Sequence, residues 1–240
     1  MNPTFTIIHA SHGRPVKAIE AMRLALQRAM FPLTVQYIIA LNRDDPARAQ
    51  YSDLWQDVLF DPKFYCHSAE MVVGDYIGSA HAWNEGARMA TGDVLIQGQD
   101  DVEPPVGWDV LLAEKIRHRS VNDPIFIAVS DGYRKDALCC TAIMTRAYRD
   151  LEGCFLCPDY LSVFSDDEVT YRALRRARDG TAHFIEARDI VFLHRHHYHD
   201  KTVPLDATYQ RENSAHAYAH GMRLFRERNP KSLTDGLKTW

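Results

Sequence analysis

The chain has 240 residues, 46% hydrophobic and 25% charged, which suffices for one well-buried core and excludes a disordered or low-complexity chain. A formal charge of −4 provides no basic field for gathering nucleic acid, so a phosphate-bearing ligand needs local neutralisation by a metal, a helix N-terminus or a few arginines. Five cysteines, an odd number, argue against a secreted disulfide framework. The first ten residues lack a signal-peptide pattern, and no stretch approaches the ~18 apolar residues of a membrane span. The expectation is a soluble, cytoplasmic protein with a single domain over residues 1–240.

Short apolar runs alternate with helical periods through the first half, the pattern of an α/β sandwich. Phe5–Ala10 reads as a buried strand, and Pro15 opens a helix where its missing N–H costs nothing. Ile19, Met22 and Leu26 form that helix's apolar stripe. Val35–Leu41 is a second strand, followed by the polar turn Asn42 to Pro46. Ser79–Ala90 reads as a helix and Asp93–Gly98 as a strand. Pro104-Pro105 starts a helix with Trp108, Leu111, Leu112 and Ile116 facing inward. Ile125–Val129 and Leu138–Thr145 look like strands, Asp166–Arg178 like a helix, and Asp189–His196 like a strand. The last thirty residues read as largely helical and polar.

Open α/β sheets bind ligands just beyond the C-terminal ends of their strands. Three polar clusters occupy such positions: Ala10 to Arg14, Asn42 to Asp45, and Gln99 to Asp101. One such cluster is ordinary turn chemistry. Three at successive strand ends point to a shared site. In Asp100-Asp101 two adjacent carboxylates repel unless a cation neutralises them, and hard divalent ions complete their shells with phosphate oxygens and water. The plainer alternative is an acidic turn at the start of the following helix.

In the run Asp189 to His199, a strand persisting to His196 puts His194 and His196 on one face with Ile190 and Phe192, as histidines that can take a metal. Ser165-Asp166-Asp167-Glu168 precedes a helix carrying Arg172, Arg175 and Arg176. Ser165 or Asp166 can cap the helix, and a carboxylate at a helix start can also act as a general base. Cys154-x-x-Cys157 is too isolated to read as a zinc or redox pair.

Taken together, these segments resemble the family-2 glycosyltransferases, in the order that family uses. Thr6 to Pro15 is similar to the family's opening strand, usually ending P-T-Y-N-R-P. Tyr76-x-Gly78-x-x-x-Ala82-x-Asn84-x-Gly86 resembles its N-x-G-x-x-x-A-x-N-x-G helix. Gly92 to Asp101, followed by Pro104-Pro105 and Trp108, resembles the run from G-D/E-x-L through D-x-D to P-x-x-W. Ser165-Asp166-x-Glu168-Val169-x-x-Arg172 is similar to its E-D-x-D-L-x-x-R element. The match covers most of residues 5–176. It departs from the family at Gln99, where the first Asp of D-x-D is usual, at Tyr76 for the first Asn, and at Ser165 for the Glu of E-D.

The resemblance implies a GT-A fold, an α/β domain with a mostly parallel central sheet flanked by helices, and inverting sugar transfer dependent on Mn²⁺ or Mg²⁺. It implies that Asp101 carries the metal and that His194 or His196 completes its shell. Asp166 falls at the catalytic base. Ala10, Ser11, Arg14, Asn42 or Asp44, Asn84 and Asp100 fall at positions that hold the UDP- or GDP-linked donor. The acceptor would be a glycan or another hydroxyl compound. A sugar-nucleotidyltransferase and a non-catalytic carbohydrate- or metal-binding module are the competing readings.

Overall fold

A computed structural model of the chain describes residues 3–61 and 64–232. Strands β1 (Phe5–Ser11), β2 (Val35–Asn42), β3 (Ser68–Gly74) and β4 (Val94–Gly98) alternate with helices α1 (Pro15–Arg28), α2 (Arg48–Phe60) and α3 (Ser79–Met89). After β4 come β5 (Val102–Glu103), α4 (Trp108–Ile116), β6 (Ile125–Ser130), β7 (Ile143–Thr145), α5 (Arg146–Glu152) and α6 (Ser165–Arg178). The chain continues through β8 (His183–Val191), β9 (Leu193–His194), α7 (Ala207–Glu212) and α8 (Ala215–Arg228). No described helix is long and apolar enough to cross a membrane.

The main sheet has the order β3-β2-β1-β4-β7-β6-β8. β7 runs antiparallel to both its neighbours, and the other pairings are parallel. Period-two alternation divides the hydrophobic residues between two layers. On one face Phe5, Ile7, Tyr37 and Ile39 pack with Ile19, Met22 and Leu26 of α1 and with Trp108 of α4. On the other, Ile8, Ile38 and Phe126 pack with Ala80, Trp83 and Ala87 of α3 and with Tyr148, Tyr160 and Phe225. Fully burying one large apolar side chain contributes about 1.5–3 kcal/mol, and both layers hold many.

The order of the strands places the site. From β1 the chain winds outward through β2 and β3, then returns to lay β4 against the other edge of β1. Connections therefore leave β1 and β4 in opposite directions, which opens a crevice at their C-terminal ends. Ser11 ends β1 and Gln99-Asp100-Asp101 follows β4 at that crevice.

The α3 motif proves to be largely a packing device. A Cβ at Gly78 would stand 2.2 Å from the Leu161 carbonyl oxygen, and one at Gly86 2.5 Å from Ile8. Both glycines allow close approach of α3 to its neighbours. Asn84 donates to the Ala80 and Leu156 carbonyls and accepts the Phe155 N–H at 2.8 Å, so its amide ties α3 to the segment after α5.

Several expected boundaries shift, each for a local reason. α4 starts at Trp108 rather than Pro104, because Gly107 takes a left-handed φ of 71° and donates its N–H to the Arg28 carbonyl. Trp108, Leu112 and Ile116 are buried as expected, but Leu111 faces out at 41% exposure. The strand expected over Leu138–Thr145 is regular only from Ile143. The Cys139 N–H bonds the Thr170 hydroxyl and the Ala142 N–H bonds Gln97 Oε1, so side chains replace the ladder. The Asp189–His196 strand is two strands: β8 already begins at His183, and β9 leaves it to pair with β5. Ile190 and Phe192 enter the core, so His194 and His196 do not share their face as expected. α2 and β3 were not expected. The C-terminal helical reading holds through Arg228, and positions 233–240 lie outside the described residues.

Candidate active site

A cavity of about 830 Å³ opens over the C-terminal ends of β1, β2 and β4, within the usual size for a ligand pocket. Ala10, Ser11, Arg14, Asn42, Asp44, Asp100, Asp101, Asp166, His194 and His196 all line it. Residues as far apart in the sequence as Ala10 and His196 thus face one space. Asn84 is the exception and corrects the sequence reading: its amide is spent on backbone groups of α3 and residues 155–156, away from the cavity.

β9 brings the late histidines to the acidic pair. Val102 pairs with His194, and the Arg195 N–H bonds the Asp101 carbonyl, so His194 stands beside Asp101. His194 Nε2 lies 3.4 Å from Asp101 Oδ1, and the Tyr209 hydroxyl donates to Asp101 Oδ2. Burial opposes the Asp101 charge, but His194 and Tyr209 outweigh it and hold the carboxyl well below its usual range. Burial likewise opposes charge on His194, and Asp101 more than compensates, raising it. The His196 ring packs against His194, with centroids 5.1 Å apart. Burial and the charge of His194 hold His196 down to about 4, leaving it as neutral imidazole, the form that binds metals.

Asp166 sits in the first turn of α6. The residue before that helix, Phe164, has φ 72°, the sole non-glycine positive φ among the described residues. Such strain in a bulky residue persists where its surroundings over-determine it, often at functional sites. Gly221 of α8 makes room for it, since a Cβ there would lie 2.6 Å from the Val163 carbonyl oxygen. Neither Ser165 nor Asp166 is the cap residue, correcting the expected cap. Ser165 is the first helical residue and its hydroxyl donates to the Ser162 carbonyl, while Asp166 Oδ1 accepts the Asp167 N–H at 3.1 Å. Burial raises both carboxyls. That of Asp167 is pushed up to about 8 by burial and by its neighbour Asp166.

The donor-side residues are held by fixed partners. Asn42 makes two hydrogen bonds to the Tyr76 backbone. Ser11 Oγ bonds the Tyr51 hydroxyl at 2.6 Å. Asp100 Oδ1 meets His9 Nε2 at 2.9 Å, and its other oxygen lies 3.7 Å from Arg14. Arg14 forms a fork with Asp206 and covers the Tyr209 ring at 4.1 Å. Asp44 is exposed at the rim. Glu168 and Arg172 of the α6 motif serve packing: buried Glu168 bonds Arg172, Arg228 and the Tyr160 hydroxyl.

Sequence reasoning missed Tyr209, Asp131, Cys140, Arg134 and Glu212. Asp131 follows β6 as a polar residue at a strand end, the rule that found the other clusters. Tyr209 and Glu212 carried no motif. Glu212 lines the cavity, and burial there pushes it up to about 7.

No protein-family model matches the sequence, and no curated protein matches it. Solved structures do match. The mannosyltransferase PcManGT from Pyrobaculum calidifontis, solved with GDP-Man and Mn²⁺, aligns with a TM-score of 0.64 at 14% identity. That alignment covers 99% of this chain and 66% of the mannosyltransferase, just under two thirds of its length. S. aureus TarS 1-349 in complex with UDP-GlcNAc aligns at 0.59 and 12% identity, over 97% of this chain and 74% of that one. A longer TarS structure aligns at 0.61 and 12%, with 98% and 46% covered. The chain has the GT-A glycosyltransferase fold. At these identities the likeness is one of architecture.

Proposed function

We propose that the chain is a metal-dependent, inverting glycosyltransferase, a single domain over residues 1–240, that moves a sugar from a UDP- or GDP-linked donor to an acceptor hydroxyl. The observation that carries the reading is the meeting of Asp101, His194 and Asp166 around one cavity at the β1/β4 switch point. We place its work in the cytoplasm, where the five unpaired thiols stay reduced.

The residues suit a divalent ion. Neighbouring ligands of an octahedral ion with bonds near 2.1 Å stand about 3 Å apart, close to the 3.4 Å between Asp101 Oδ1 and His194 Nε2. A carboxylate with imidazole suits Mn²⁺, and Mg²⁺ through the carboxylate. Asp101 and His194 would hold the ion, with His196 able to join; when bound it would neutralise the diphosphate leaving group.

The other steps belong to the chain itself. Ala10, Ser11 and the exposed Asp44 border the space for the nucleoside, while Asn42, Asp100 and Arg14 fix its walls. Asp166 takes the proton of the acceptor hydroxyl as that oxygen bonds to the anomeric carbon. The bond from that carbon to the diphosphate breaks, and its electron pair leaves with the diphosphate. Burial raises Asp166 and so strengthens it as a base.

The nucleotidyltransferase reading is disfavoured at the first loop. The Gly13 N–H is bound to Asp45 at 2.8 Å and the Arg14 N–H to the Tyr51 hydroxyl at 2.9 Å, so neither is open to phosphate. Calorimetry with UDP and GDP, with and without Mn²⁺, tests the proposal, followed by a screen of sugar donors for hydrolysis. Metal-dependent binding of one nucleotide is expected. Absence of nucleotide binding under every condition would leave only a carbohydrate- or metal-binding module.

A further inference from the structure

Asp131, Cys140 and His194 each direct a ligand atom into one small volume, with all three atoms within 4.8 Å of one another. It is the one such grouping among the described residues. Cys140 Sγ lies 3.7 Å from Asp131 Oδ2. A tetrahedral zinc ion with bonds of about 2.3 Å to sulfur and ~2.0–2.2 Å to oxygen spaces those two atoms by about 3.5–3.7 Å. The sulfur and the carboxylate thus already stand at ligand spacing, with the His194 nitrogen within 4.8 Å of both.

Each member is held by bonds that need no metal. Asp131 Oδ1 accepts the N–H groups of Tyr133 and Arg134, at 2.9 and 2.8 Å, which leaves Oδ2 turned to the thiol. The Cys140 carbonyl accepts Gln99 Nε2 at 2.8 Å, and the preceding N–H, that of Cys139, bonds the Thr170 hydroxyl. The His194 N–H bonds the Asp131 carbonyl at 3.0 Å, tying the third member to the first. Prefixed donors of mixed sulfur, nitrogen and oxygen character favour a borderline, thiophilic ion over Mg²⁺ or Mn²⁺.

We propose that Asp131, Cys140 and His194 form a second metal site, selective for Zn²⁺-like ions, that shares His194 with the position beside Asp101. Three protein ligands leave a fourth position for water, facing the cavity that all but Asp131 line. The ion takes Cys140 as thiolate, and the thiol proton passes to solvent as it binds. Gln99, which replaces the first Asp of the usual D-x-D, has a defined task here: it anchors Cys140. The site rests on side-chain geometry and stands whether or not the chain transfers sugars.

Co²⁺ added to the metal-free full chain tests this, because a cobalt–thiolate bond gives a near-ultraviolet charge-transfer band. One equivalent of Co²⁺ is expected to produce the band, and Zn²⁺, but not Mn²⁺ at the same concentration, to abolish it. Cys140→Ser should lose the band and Asp131→Asn should weaken Co²⁺ binding at least ~10-fold, while Cys154→Ser and Cys157→Ser retain both. Absence of a thiolate band in folded wild-type protein overturns the proposal. So does a band that survives Cys140→Ser or vanishes in Cys157→Ser, which assigns it to the other cysteine pair. If Cys140→Ser does not fold, unchanged Co²⁺ affinity in Asp131→Asn is equally fatal.

Discussion

The two sides of the cavity are built on opposite principles. On the β1/β2 side, polar groups are matched: Asn42 to the Tyr76 backbone, Ser11 to Tyr51, Asp100 to His9, and Arg14 to Asp206. On the α6/β9 side, ionisable groups crowd together. Asp166 and Asp167 share one helix turn, and His194 touches His196 while Asp101 stands against both. The satisfied side can hold a ligand in a fixed shape. The crowded side carries strongly shifted carboxyl and imidazole groups, the condition under which protons and metal ions exchange near neutral pH.

The largest expected effect is on that crowded side. Asp166→Asn should lower turnover ~10²–10⁴-fold at saturating donor, because an amide cannot take the acceptor's proton, while nucleotide affinity holds. Turnover equal to wild type would move the base to another group and erase the contrast. Next, Asp101→Ala should abolish the metal dependence of nucleoside diphosphate binding and weaken it by roughly an order of magnitude or more. Calorimetry with and without EDTA checks this, and equal wild-type affinity in both buffers counts against a metal at Asp101.

Away from the cavity, at the α3 contact, the effect should appear in stability alone. Asn84→Ala strips the partner from the Phe155 N–H and should cost about 1–3 kcal/mol in denaturant melts. Nucleotide affinity should stay within about twofold, and a larger loss would return Asn84 to the binding residues. The smallest effect is a pH dependence. Folded Asp167 keeps its proton up to about 8, whereas the unfolded chain releases it near the ordinary carboxylate value. Between those limits the folded state binds more protons, so its stability falls as pH rises from about 4 to about 8. Asp167→Asn lacks that proton and should gain on wild type over the same range. A relative Tm gain of about 3 °C corresponds to roughly 1 kcal/mol in a chain of this size. Parallel melting curves across that range would show that burial and Asp166 do not raise Asp167. The same shared turn makes Asp167→Asn an unsuitable inert control for Asp166→Asn.

The sheet was legible where periodicity is strongest. β1, β2 and β4 are short apolar runs bounded by polar turns, and the cavity lies over the C-terminal ends that this pattern marks. α2 was missed because its buried face is narrow, just Tyr51, Trp55 and Val58. β3 was missed because its residues are only half-buried and show no clean alternation. The 138–145 segment reads as a strand by composition, yet Thr170 and Gln97 satisfy its N–H groups, a competition that no local pattern encodes. Among the residues that line the cavity, motif order had pointed to Asp101 and Asp166, and strand periodicity put His194 beside His196 for a reason the structure replaces with the β5–β9 pairing. Asn84 was misjudged because an amide that closes a helix against a loop has the same letter as one that binds a sugar nucleotide. Tyr209 was invisible because its contact with Asp101 spans 108 residues.

That contact has a consequence for the shape of the site. Tyr209 occupies one oxygen of Asp101, Arg14 covers the Tyr209 ring, and Asp206 both grips Arg14 and caps α7 through the Tyr209 N–H at 3.0 Å. That leaves Asp101 with one oxygen, the one facing His194, for an incoming ligand, and its orientation is tied through the phenol to the arginine and the cap. A substitution at Asp206 would therefore reach Asp101 through two intervening side chains.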